Sequence, residues 1–156
     1  MEKTHTLHAL PCNLELLPMP LPELLELPIS QCYVAAGFPS PADDYLEDKI
    51  NLQQVLINNP TATYLVRVRG ESMRDARLHD GDILVVDRSL KPSHGHIIIG
   101  VVDGEFTVKR LLKKGSRMFL QPANDAYPPM EITEEMDFKP WGVVVWSLHK
   151  VDSRHD

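Results

Sequence analysis

A serine on a glycine bend, a lysine on an apolar strand and seven histidines hold the chemical interest of this chain. Gly70-Glu71-Ser72-Met73 follows an apolar run and precedes the turn at Asp80-Gly81. A serine on a bend that glycine permits can direct its hydroxyl into a cleft and expose its own N–H. Most serines in such a setting are turn residues, and a nucleophile needs a base beside it. Histidine is the usual base, but the histidines at 5, 8, 79, 94, 96, 149 and 155 have no local context that specifies that role. Lys109 is the other candidate. It lies in Glu105-Phe106-Thr107-Val108-Lys109-Arg110-Leu111, where strand alternation puts Thr107 and Lys109 on one face and Phe106 and Val108 on the other. A desolvated lysine drops from its ordinary pKa of about 10.4 toward neutrality. It can then take the proton of a serine hydroxyl, the Ser-Lys form of nucleophilic catalysis. The bland alternative is a surface lysine in a basic run with Arg110, Lys113 and Lys114.

Other reactive residue types carry weaker signals. Cys12 and Cys32 are the only cysteines and lie in a proline-rich front, which favours two free thiols over a disulfide. His94-Gly95-His96 offers two metal ligands without a third nearby, so a loop after Pro92 is the better reading. Asp43-Asp44 and Glu134-Glu135 read as solvated charge. No metal and no cofactor is implied.

The elements that must position Ser72 and Lys109 are β-strands. From residue 61 onward, short apolar runs alternate with glycine-containing turns: residues 64–68, 83–86, 97–102, 105–111, 118–120 and 142–148. Asp103-Gly104 between two of them is the strongest hairpin signal. The only helical pattern falls in residues 43–59, where Asn51 is placed to cap a short helix holding Leu52, Val55 and Leu56. A mainly β, compact folded-sheet domain with one short helix follows.

The front of the chain differs. Seven of the 13 prolines fall in the first 41 residues, and they forbid a helix longer than a turn or two. Ten Leu or Ile residues nevertheless lie between positions 7 and 29, too many for a solvated linker. An extended arm that docks on a surface accounts for both features.

Composition excludes several function classes. Sixteen basic against 22 acidic residues give a net charge of −6, contrary to a protein that lives on phosphate contacts. The longest apolar run covers residues 97–102, far short of the roughly 20 residues that span a bilayer. The first residues lack a basic region followed by an apolar core, so no secretory signal is expected and the cytoplasm is the expected compartment.

Taken together, the residues from about 37 to 145 resemble the LexA/UmuD family of self-cleaving serine peptidases, on its UmuD-like side. The resemblance rests on Gly37-Phe38-Pro39-Ser40-Pro41-Ala42, Asn59-Pro60, Ala62-Thr63-Tyr64, Gly70-Glu71-Ser72-Met73, Asp80-Gly81-Asp82, Ser93-His94-Gly95 and the dense block from Val102-Asp103-Gly104 through Leu111. It implies the family's β-clip-like peptidase fold, with Ser72 as nucleophile and Lys109 as general base. It also implies a scissile bond between a small residue and glycine. Gly37 is the only glycine in the first 69 residues, so Ala36-Gly37 is the candidate. Residues 1–36 then form an autocleavable arm and residues 37–156 a peptidase and dimerisation domain. The arm is longer than the family implies, and His96 stands where an acidic residue is usual.

The resemblance further implies partners: a second copy of the chain, a RecA-type recombinase filament on single-stranded DNA, and the catalytic subunit of a Y-family polymerase in a bacterial cytoplasm. Neither a membrane nor direct sequence-specific DNA binding is expected. A LexA-type repressor would need an amino-terminal helix-turn-helix, which a proline-broken arm cannot supply. A non-catalytic accessory module would have no need to keep both Ser72 and Lys109.

Overall fold

A computed structural model describes residues 15–17, 26–30, 36–37 and 47–152. They fall into two units, one of residues 15–17 and 59–152, the other of residues 26–30, 36–37 and 47–58. The first unit is an eight-stranded antiparallel sheet. In chain order its strands are β1 (Glu15–Leu17), β4 (Thr63–Arg67), β5 (Ile83–Asp87), β6 (Ile97–Val102), β7 (Glu105–Lys114), β8 (Arg117–Gln121), β9 (Met130–Ile132) and β10 (Phe138–Leu148). Across the sheet the order is β1-β4-β5-β10-β6-β7-β8-β9. The closing strand β10 is thus inserted between β5 and β6, at the centre.

Alternation explains how one sheet makes a two-sided core. Ile98 and Ile99 are neighbours on β6, both fully buried, and point to opposite faces. Ile99 joins Val66, Val68, Met73, Leu78, Leu84 and Val86 in one cluster, whereas Ile98 joins Leu111, Leu120 and Val143 in another. The sheet is therefore covered on both sides, as a folded sheet must be. Each fully buried Leu, Ile or Val contributes about 1.5–3 kcal/mol. Leu84, Val86, Ile98 and Ile99, all at 0% exposure, make β5 and β6 the rigid centre of the unit.

The sequence-based elements recur with adjusted ends. The β6–β7 hairpin turns on Asp103 and Gly104, with φ of 50° and 84°, the doubly positive pair that Asp-Gly favours. Among the strands after residue 61, one has no clear signal in the sequence. β9 is three residues long and follows Pro128-Pro129. The strand expected at residues 142–148 begins earlier, at Phe138, and passes through Pro140. A register shift between Pro140 and Gly142 accommodates the proline, which has no N–H for the ladder.

The second unit is a hairpin of β2 (Glu26–Ser30) and β3 (Glu47–Asn51), followed by the helix α1 (Leu52–Leu56). The Asn51 side chain accepts the Gln54 N–H at 3.1 Å, the cap expected from the sequence. The stretch before Asn51 is a strand rather than part of the helix, because its backbone pairs with β2. In the arm, the described segments are extended: Pro28 sits within β2, opposite Lys49, and β1 pairs with β4 in the register Glu15–Arg67, Leu16–Val66 and Leu17–Leu65. Cys12, Cys32, Val34 and Ala35 lie outside the described residues.

Candidate active site

The site forms where an irregular turn meets a regular strand. After β4 the chain leaves the sheet through residues 68–73 and enters a single 3-10 turn at Arg74–Ala76. Gly70 has a φ of 97°, and its N–H donates to Asp80 Oδ1 at 2.6 Å, which closes the bend over the Asp80-Gly81 turn. Met73, at 2% exposure, anchors the bend in the core. Ser72 between them is half-buried.

Lys109 arrives from the middle of β7, at the register position opposite Ile98 of β6. Its Nζ lies 2.9 Å from Ser72 Oγ, 3.0 Å from Thr107 Oγ1 and 2.9 Å from the Val108 carbonyl oxygen. Burial lowers its pKa from the ordinary lysine value, since desolvation disfavours the ammonium form. As an ammonium, Nζ donates to all three oxygens; as a neutral amine it keeps two N–H donors and one lone pair. Thr107 Oγ1 and the Val108 carbonyl can each accept one N–H, which leaves the nitrogen lone pair for the Ser72 hydroxyl proton.

Val68, Arg69, Gly70, Ser72, Met73 and residues 106–109 line a cleft of about 130 Å³ at this point. Pockets for drug-sized ligands usually hold about 300–1,000 Å³. A cleft this small suits an extended backbone with small side chains. Behind it, Phe106 packs edge-on against Trp141 at 5.8 Å between ring centroids, and Trp141 packs on Tyr64 at 5.3 Å. The Arg88 guanidinium covers Trp141 at 4.7 Å. This stack stiffens the apolar wall that Phe106 gives to the cleft.

The structure thus brings Ser72 and Lys109 together across 37 positions of sequence. Ala36 and Gly37 belong to the other unit, where both are exposed at a bend. The histidines with side-chain hydrogen bonds among the described residues serve elsewhere. His94 Nδ1 accepts the Lys113 N–H at 2.9 Å, His96 meets Ser93 Oγ, and His149 Nδ1 donates to Asp82 Oδ1 at 2.6 Å. Among the described residues no group of three His, Cys, Asp or Glu could hold a metal ion. No described helix is long and apolar enough to cross a membrane.

Two contributions escape a reading of the sequence. Thr107 was visible as a same-face neighbour of Lys109, but only the fold shows its hydroxyl against Nζ. The segment around Ala123 and Asn124 carries no motif, yet its bonds to Glu71, Ser72 and Asp75 brace the serine turn from about 50 residues away.

Comparisons with known proteins show the family of the chain. The family model described as Peptidase S24-like matches residues 28–145, a span that includes Gly37, Ser72 and Lys109. Protein MucA of Escherichia coli is 48% identical over 116 residues, covering 74% of this chain and 79% of that protein. Protein SamA of Salmonella typhimurium is 48% identical over 118 residues, covering 76% and 81%. LexA repressor 2 of Pseudomonas putida is 37% identical over 133 residues, or 85% of this chain and 65% of that repressor. On the strength of that match and the β-sheet scaffold around Ser72, the chain belongs to the Peptidase S24-like family, among its UmuD-like members.

Proposed function

We propose that this protein is a self-cleaving serine peptidase of the SOS response, which cuts its own Ala36–Gly37 bond. The observation that carries the reading is the 2.9 Å approach of Lys109 Nζ to Ser72 Oγ at a place where burial favours the neutral amine. Neutral Lys109 takes the Ser72 hydroxyl proton as Oγ attacks the Ala36 carbonyl carbon. The tetrahedral oxyanion collapses, the C–N bond breaks, and the Lys109 ammonium returns the proton to the leaving Gly37 amine. Water, deprotonated by Lys109 in turn, hydrolyses the acyl ester on Ser72. The products are residues 1–36 with a new carboxylate and residues 37–156 with a new amino terminus.

Small side chains at Ala36 and Gly37 suit the narrow cleft, and their exposure leaves the bond accessible to an approaching nucleophile. A tethered substrate that reaches the reactive pose only rarely is cut slowly, and a binder that favours the pose accelerates the cut. A RecA-type recombinase filament on single-stranded DNA is the binder that the family resemblance implies. The trimmed chain then acts in the bacterial cytoplasm as a homodimeric accessory subunit of an error-prone Y-family polymerase. Val145, Trp146 and Leu148 on β10 are exposed apolar side chains that suit pairing with a second copy.

Intact-mass measurement after incubation from pH 7 to pH 10, with and without a recombinase filament, tests the reading. The expected product begins at Gly37. Ser72→Ala and Lys109→Ala should each abolish it. An uncut wild-type chain under all these conditions would instead favour a non-catalytic polymerase accessory, and a product starting elsewhere would overturn the assigned bond.

A further inference from the structure

Ser72 sits in a turn, and no sheet ladder fixes the two peptide planes that flank its Cα. Two bonds from one remote segment do so, beside a longer local turn bond of 3.3 Å from the Arg74 N–H to the Glu71 carbonyl. Asn124 Nδ2 donates to the Glu71 carbonyl oxygen at 2.8 Å, which belongs to the peptide preceding Ser72. The Ala123 N–H donates to the Ser72 carbonyl oxygen at 2.8 Å, which belongs to the peptide that follows. The Asp75 N–H donates back to the Ala123 carbonyl at 2.8 Å and closes the clamp.

The orientation of the Asn124 amide is fixed by its partners. Its Oδ1 accepts the Ala126 N–H at 3.0 Å, so the other side of the amide must be the donor that meets the Glu71 carbonyl. The side chain is buried, at 6% exposure, and both ends are satisfied. It does not line the cleft and reaches no reacting atom.

We infer that Asn124 is a positioning residue for Ser72, holding the Glu71–Ser72 peptide so that the Ser72 N–H faces away from Asn124 and stays free for a developing oxyanion. In a planar trans peptide the C=O and the next N–H point in opposite directions, so the bond on the Glu71 carbonyl sets the direction of the Ser72 N–H. Among the described residues no acceptor takes that N–H. If the peptide flips, the carbonyl replaces the donor, and stabilisation of the oxyanion is lost. The inference rests on the reading of Ser72 as the nucleophile.

The test uses the full chain and two substitutions. Asn124→Asp keeps the acceptor for the Ala126 N–H but sets a carboxylate oxygen against the Glu71 carbonyl, and Asn124→Ala removes both bonds. Self-cleavage followed by intact mass across pH should fall about 100-fold at the alkaline plateau in each variant, the size expected for a misplaced reacting group. In Asn124→Ala, which adds no charge near Lys109, the pH midpoint should stay at the wild-type value; the new carboxylate of Asn124→Asp favours the ammonium, so only the plateau of that variant is compared. A midpoint of Asn124→Ala moved toward that of an exposed lysine would mean general loosening of the cleft and would overturn the inference. Plateau rates within twofold of wild type would do the same. The amide nitrogen resonance of Ser72, which responds to the hydrogen bond accepted by the preceding carbonyl, provides a second readout. It should shift in both variants while the resonances of β5 and β6 stay in place, and an unmoved Ser72 resonance would sink the proposal. If the wild type itself never cleaves, the nucleophile reading fails, and the Ser72 resonance still decides whether Asn124 holds the turn.

Discussion

Lys109 sits where a buried amine meets two acceptors and a hydroxyl, and in the proposed reaction its protonation state governs whether the hydroxyl can be activated. Desolvation lowers its pKa, so the neutral fraction rises as pH climbs through a midpoint below that of free lysine. The self-cleavage rate should therefore increase with pH and level off before about pH 10.4, the value of an unperturbed side chain. Lys109→Arg sharpens this expectation. Arginine keeps its charge at every accessible pH, so the variant should show no cleavage and no rise with pH. A cleaving arginine variant would show that some other group takes the serine proton.

At the scale of elements, the site depends on how closely β10 lies against β5. A Cβ built on Gly142 would sit 2.5 Å from Val86 Cγ1 and 3.3 Å from Arg88 Cγ. Val86 is fully buried in the cluster that also holds Met73, the anchor of the Ser72 bend. Gly142→Ala should therefore destabilise the sheet by about 1–3 kcal/mol, the usual cost of overpacking. Urea unfolding should show the loss, and self-cleavage should weaken with it as β5 shifts under the bend. Unchanged stability would mean that the sheet yields locally without strain. The elements themselves were largely legible. Asn51 announced α1, Asp103-Gly104 announced the hairpin, and β-branched runs announced β5 and β6. β9 and the first residues of β10 were not legible, because prolines mask their strand character and only neighbouring strands stabilise them.

Across the whole first unit, the carboxylate of Asp82 ties the start of β5 to the end of the chain. It accepts the His79 N–H at 2.8 Å, the Ser147 hydroxyl at 3.3 Å and His149 Nδ1 at 2.6 Å, while only 2% exposed. Burial raises its pKa, but the bonds from His79, His149 and Ser147 together outweigh that effect, and the net direction is down. A carboxyl with a depressed folded pKa stabilises the fold above its unfolded pKa and loses that contribution as pH falls through the folded value. Asp82→Asn should therefore cost about 2 kcal/mol near pH 7, in keeping with bonds to a charged acceptor. The difference should begin to shrink below about pH 4, where the carboxyl of the unfolded chain protonates first, and go on shrinking as pH falls toward the lower folded value. Urea midpoints at pH 7 and pH 3 measure both; an equal gap at the two values would show that the Asp82 charge contributes nothing.

The sequence by itself determined the residue types and the local frame. Ser72 stands on a glycine bend, Lys109 stands two residues after Thr107 on a hairpin strand, and Ala36-Gly37 is the only small-residue-glycine pair ahead of the peptidase core. Such features follow from short-range rules of turn chemistry and alternation, which act within a few residues. Tertiary structure alone decided that Lys109 Nζ meets Ser72 Oγ, that burial lowers the lysine's pKa, and that Asn124 clamps the serine turn. Those facts depend on side chains that are 37 and 53 positions apart in sequence, and only the stacking of β10 between β5 and β6 brings their strands and loops into register.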